Sequence, residues 1–139
     1  MRRALRLGLS ILLLLLLQSA APRTSVAAAA EENFRWFCAQ CHGPEGRGDG
    51  INHTPDLPVR PRNLTDPKDV GQFSDEEMVA TITKGGAVND LSAIMPPWGD
   101  RLSEAEIRDL IRFIRSLCGC QFDPALKSAA QRAKPPGEP

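Results

Sequence analysis

Cys38-Ala39-Gln40-Cys41-His42 sets two thiols three residues apart, with an imidazole directly after the second. On a helical turn that spacing puts both sulfurs on one face. Two thiols so placed suit addition to the two vinyl groups of a haem, and the adjoining imidazole suits its iron. Three other chemistries use a similar pair. A thioredoxin-like dithiol belongs beside a βαβ pattern, and no strand pattern stands out in this chain. A structural zinc needs four ligands, and beyond this run only His53, Cys118 and Cys120 offer soft donors. A disulfide between Cys38 and Cys41 would leave His42 without a role. Covalent haem attachment accounts for all three residues.

The elements that must hold this run are helical. Phe34, Phe37, Cys38 and Cys41 recur every three or four residues from Glu31 onward, and Gly43-Pro44 ends the pattern. Ser74 with Glu77 forms a capping box, opening a short helix to about Thr83 with Met78, Val79 and Ile82 inward and Gly85-Gly86 closing it. Ser103 with Glu106 forms a second box. It opens the clearest helix, whose apolar face is Ile107, Leu110, Ile111, Ile114 and Leu117, with Arg108, Arg112 and Arg115 pointing elsewhere. Between the first two helices, residues 43–72 carry five prolines and five glycines, so regular structure is not expected there. A structureless stretch of that length needs something other than protein to pack on.

In these features, from residue 31 to about 120, the chain resembles a small class I c-type cytochrome: a helix ending in CAQCH, a Pro/Gly loop, a middle helix, a Met-Pro segment and a long last helix. The resemblance implies an all-α, cytochrome c-like domain of three main helices with long loops wrapped around one haem. It implies one haem c, attached through two thioethers to Cys38 and Cys41. It also implies that the first and last helices cross, with Phe34 and Phe37 meeting Leu110, Phe113 and Ile114. A proline that supports the histidine through a backbone carbonyl is part of the family pattern, with Pro55 one of several that fit.

His42 is expected as one axial ligand, and the second must come from Met95, Met78 or His53. Met78 lies on an inward helical face, where methionine is ordinarily core. His53 stands in a flexible polar stretch. Met95 is followed by Pro96-Pro97-Trp98, which forbids helix and holds the backbone extended so that the thioether can project. The resemblance places the methionine ligand at this same point, so cofactor-binding residues are expected at Cys38, Cys41, His42 and Met95, with iron held by His42 and Met95. Arg60, Arg62 and Trp98 are candidate donors to the haem propionates. Cys118-Gly119-Cys120 departs from the family pattern, and in an oxidising compartment a local disulfide is favoured over an intermolecular bond, a soft-metal site or two plain thiols.

Arg2, Arg3 and Arg6 precede an apolar run, Leu7 to Leu17, and Ala28-Ala29-Ala30 offers small residues for cleavage. Residues 1–30 therefore read as an export signal, in preference to an uncleaved anchor over residues 5–21. The expected organisation is a signal over 1–30, a haem domain over 31–120 and a partly disordered tail over 121–139. Removing the signal takes four of the 17 basic side chains and none of the 17 acidic ones. A mildly acidic remainder excludes nucleic acid as a partner, because phosphate binding needs clustered positive charge. With no Tyr, five Phe and two Trp, the apolar supply for a core is thin.

With both axial positions filled by protein and no nucleophile-base pair visible, the expected role is a monomeric periplasmic electron carrier, not an enzyme. Its partners would be redox proteins acting as donor and acceptor, with membrane contact only through docking to a respiratory complex. Two other readings stay open. One is a haem c subunit of a larger respiratory oxidoreductase. The other is a small-ligand sensor or enzyme, if Met95 is not a stable ligand.

Overall fold

The computed structural model describes residues 25–133. The expected signal segment up to residue 24 and the last residues, 134–139, lie outside them. The elements in chain order are α1 (Val26–Phe37), α2 (Ala39–His42), α3 (Pro67–Gly71), α4 (Asp75–Lys84), a 3-10 turn η1 (Gly86–Asn89), α5 (Glu104–Cys118) and α6 (Pro124–Ala133). No strand occurs among the described residues, so the all-α expectation holds.

Both capping boxes form. Ser74 Oγ accepts from the Glu77 amide at 3.2 Å while the Glu77 carboxylate accepts from the Ser74 amide at 2.9 Å. Ser103 and Glu106 repeat the exchange at 3.4 and 2.8 Å. Each pair satisfies two amides that a helix start otherwise leaves open. The two helices thus begin where the Ser-x-x-Glu spacing predicts.

The core lies where α1 and α4 pack on α5. Phe34, Ile107, Leu110 and Ile111 are essentially fully buried, with Ile82, Leu102 and Ile114 around them. Removing a side chain such as Phe34 from water contributes about 1.5–3 kcal/mol. Its ring meets Phe113 at 5.3 Å, as the family resemblance implied, whereas Phe37 turns to Trp98 at 5.3 Å.

Four features differ from expectation. Residues 43–72 are not wholly irregular: Asp66 caps α3 by accepting from the Lys68 amide at 2.8 Å, and Pro67 occupies its first turn. That is a helix start of standard chemistry, too short to show periodicity. Arg115 does not point away from the core. It is buried, bonds the Asp75 carboxylate at 3.0 and 2.8 Å and the Phe73 carbonyl at 2.7 Å, and so ties α5 to the start of α4. A buried guanidinium is tolerable only with such partners.

The chain also does not fray after Gly119. Gly119 takes the left-handed conformation (φ 60°) that closes α5, the amide of Asp123 donates to the Gly71 carbonyl at 2.7 Å, and Lys127 of α6 pairs with Glu77 of α4. The expected boundary at residue 30 falls inside a helix. Ser25 caps α1, and Ala30 is buried at 3 % exposure in the core.

Candidate haem site

Helix α1 breaks at Cys38 (φ −114°, ψ −38°) and resumes as the single turn α2. The amides of Cys41 and His42 both donate to the Cys38 carbonyl, at 3.1 and 2.9 Å, so the CAQCH run is one tight coil. Gly43 ends it at φ 81°. The carbonyls left open at its end are met by the following loop. Amides of Asn52, Gly50 and Gly48 donate to the carbonyls of Gln40, Cys41 and His42 at 2.8, 3.1 and 2.7 Å. A Cβ on Gly50 would fall against the backbone of Gln40 and Cys41, so only glycine permits this approach.

Cys38 and Cys41 are half-buried and not joined to each other. Burial, with a further push from Cys41, raises the Cys38 thiol to about 12. The thiol is therefore protonated at neutral pH. Burial also lowers the basicity of His42, against the opposing effect of its bond to Arg62, and keeps the ring neutral. Nδ1 of His42 donates to the Arg62 carbonyl at 2.9 Å, which assigns the proton to Nδ1 and leaves the lone pair on Nε2. The carbonyl that steadies the imidazole thus belongs to Arg62, just after Pro61, and not to Pro55.

Met95 is half-buried against the same hydrophobic cluster as Cys38 and Met78. Its segment is clamped to the end of α4. The amide of Gly86 donates to the Met95 carbonyl at 3.0 Å, and the amides of Trp98 and Gly99 donate to Ile82 and Thr83 at 2.9 and 3.1 Å. The Ile82 and Thr83 carbonyls are among those that the last turn of a helix leaves without partners. Asn89 adds a side-chain tie, donating to the Glu77 carbonyl and to Thr81 Oγ1, each at 2.8 Å. No motif in the sequence pointed to Asn89, because its partners lie in another element.

The other candidates are placed differently. His53 is half-buried in the loop, its backbone amide bonded to Gly50. The guanidinium of Arg62 lies 4.8 Å over the Phe73 ring and 3.6 Å from the Asp69 carboxylate. Arg60 is exposed, and Trp98 packs on Phe37. Cys118 and Cys120 are joined as a disulfide, as favoured. Among the described residues no group of three or more His, Cys, Asp or Glu side chains converges as a metal site.

These residues fit a covalently held haem. Two unjoined sulfurs share one coil, an imidazole presents Nε2, and a margin of half-buried apolar side chains (Phe37, Met78, Val79, Met95 and Trp98) borders the core. The model of the family described as cytochrome c oxidase, cbb3-type, subunit III, matches residues 25–114. The chain belongs to that family.

A cbb3-type subunit III domain is a c-type cytochrome domain, so the chain has the cytochrome c fold and its chemistry is electron transfer by haem c. The chain is 34% identical over 98 residues to the cbb3-type cytochrome c oxidase subunit FixP of Azorhizobium caulinodans, covering 70% of this chain and 29% of that protein. It therefore spans less than a third of that curated relative. Among solved structures it is similar to a reducing HAO-like protein complex, Kustc0457/Kustc0458, of Kuenenia stuttgartiensis, with a TM-score of 0.54 and 27% identity over 71% of this chain and 47% of that one. A looser match is the KustC0563 c-type cytochrome, with a TM-score of 0.46 and 22% identity over 65% of this chain and 94% of the other.

Proposed function

We propose that this cbb3-type subunit III domain carries a single haem c, bonded to Cys38 and Cys41, ligated by His42 and Met95, and working outside the cytoplasm as a one-electron relay. When bound, the haem supplies an Fe(III)/Fe(II) couple. The observation that carries the reading is the Nδ1 bond of His42 to Arg62, which orients the ring and leaves Nε2 as the donor nitrogen. Each thiol adds across one vinyl group, its sulfur bonding to carbon and its hydrogen passing to the neighbouring carbon, so no oxidant is consumed. Met95 offers a soft thioether, which favours the reduced metal and raises the potential above that of a bis-histidine site.

Two settings are compatible with this chemistry. In the first, the domain is a mobile monomeric carrier between a donor and an acceptor. In the second, it is docked in a larger respiratory oxidoreductase. The similarity to a protein named as an oxidase subunit favours the second. No helix among the described residues is long and apolar enough to cross a membrane.

Mass spectrometry of the exported protein, together with its ferric spectrum, tests the site. One added haem and a methionine–iron charge-transfer band are expected, and an unmodified mass in folded protein would refute the reading. Size-exclusion chromatography of a native extract with haem staining separates the settings.

A further inference from the structure

Arg47, Arg60, Arg62 and Asp69 line a cleft of about 450 Å³ together with Gly48, Pro61 and Asn63. Three arginines and one aspartate thus border it. Asp69 sits 3.6 Å from Arg62, while Arg47 and Arg60 have no carboxylate partner among the described residues. Planar guanidiniums bind oxyanions through paired N–H donors, and a small cleft holding several of them favours a compact anion of more than one charge.

Two of the lining residues, Gly48 and Arg62, are hydrogen-bonded to His42. The Gly48 amide donates to the His42 carbonyl at 2.7 Å, and His42 Nδ1 donates to the Arg62 carbonyl at 2.9 Å. Gly48 makes this closeness possible, since at φ 78° it passes against the Pro61 carbonyl with no room for a Cβ. The cleft is therefore built onto the backbone that holds His42.

We propose that the cleft bordered by Arg47, Arg60 and Arg62 is a binding site for a free oxyanion of the phosphate class, and that its occupancy lowers the reduction potential of the domain. The inference rests on the haem reading above. An anion beside the His42 support stabilises the oxidised site, which carries one more positive charge, over the reduced one. By linkage the oxidised protein then binds the anion more tightly by the same factor. A preference of about fivefold is expected, equivalent to about 40 mV at 59 mV per tenfold for one electron.

The test uses the haem-loaded protein, its haem content first verified by mass, so that loss of the haem reading is seen separately. Inorganic phosphate is titrated against chloride at matched pH and ionic strength, following binding by calorimetry and the midpoint by potentiometry. Saturable binding with a fall in midpoint, both absent in Arg47→Gln/Arg60→Gln, is the expected result. The proposal is overturned by a silent calorimeter, by binding that the double variant retains, or by a shift that chloride reproduces. It is also overturned if phosphate does not bind while the double variant alone moves the midpoint, because the arginines would then serve the haem carboxylates.

Discussion

His42 Nδ1 donates to the Arg62 carbonyl at 2.9 Å, across twenty residues of sequence. A ligand imidazole held in this way has a fixed tautomer and greater basicity at its other nitrogen. The acceptor is positioned by Gly48, whose Cβ position is occupied by the Pro61 carbonyl and lies 3.4 Å from the Arg62 carbonyl. Gly48→Ala should push that carbonyl away. The expected outcome is a loss of about 1–3 kcal/mol in urea unfolding, because a left-handed residue gains a side chain. A higher reduction potential should accompany it, because a less basic imidazole stabilises the ferric state less.

Replacing Met95 with Ala should abolish the methionine–iron band, lower the potential and allow rapid binding of carbon monoxide to the reduced protein. Met78→Leu should change none of these, since Met78 lies on α4 as a packing residue. Rapid carbon monoxide binding by the unaltered protein would remove Met95 from the site.

Asn89→Ala deletes two hydrogen bonds of 2.8 Å and leaves the buried Thr81 with one partner fewer. A cost of about 1–3 kcal/mol follows from the unmet polar groups. Because the segment after Asn89 leads to Met95, the methionine–iron band should vanish at lower urea than in the parent, before the global transition. Coincident shifts of both transitions would make Asn89 a purely structural residue.

Burial alone would raise the Glu77 carboxyl, but the bonds from Lys127 and Ser74 outweigh it and hold its pKa below the ordinary value of 4.5. A carboxyl lowered on folding stabilises the native state above the unfolded pKa, and that contribution disappears as pH falls through the folded pKa. Lys127→Met should therefore reduce stability at neutral pH and flatten its decline below about pH 4.5. Thermal melts from pH 3 to 7 check this. Equal offsets at every pH would mean that the ion pair makes no pH-dependent contribution.

If the protein is exported with cleavage, the mature chain should retain Ala30, because that residue is 3 % exposed and packs in the core. N-terminal mass analysis decides, and a mature chain beginning at Glu31 would contradict the placement.

The tight CAQCH coil and both capping boxes were legible because each depends on residues within a few positions of one another. Cys38, Cys41 and His42 share one turn, and a Ser-x-x-Glu box closes on itself. The short α3 was written just as locally, in Asp66-Pro67, but a prevailing Pro/Gly composition concealed it. Arg115 was misread because helical periodicity reports only an apolar face. Its partner Asp75 is forty residues away, and a charge at the margin of that face becomes interior once a second helix covers it.

What the sequence by itself determined is the chemistry and its local geometry: a thiol pair with an adjoining imidazole, helix starts with their caps, and a Met-Pro-Pro segment that cannot be helical. What only the tertiary structure decided is which distant groups complete that chemistry. The Arg62 carbonyl behind His42, the Asn89 tie beside the Met95 segment, the docking of α6 on α3 and the Lys127–Glu77 pair between α6 and α4 are contacts between elements. The reason is physical: backbone carbonyls and amides are common to nearly every residue, so no residue type marks which of them will serve. The choice is made when burial of Phe34, Leu110 and their neighbours brings the segments together.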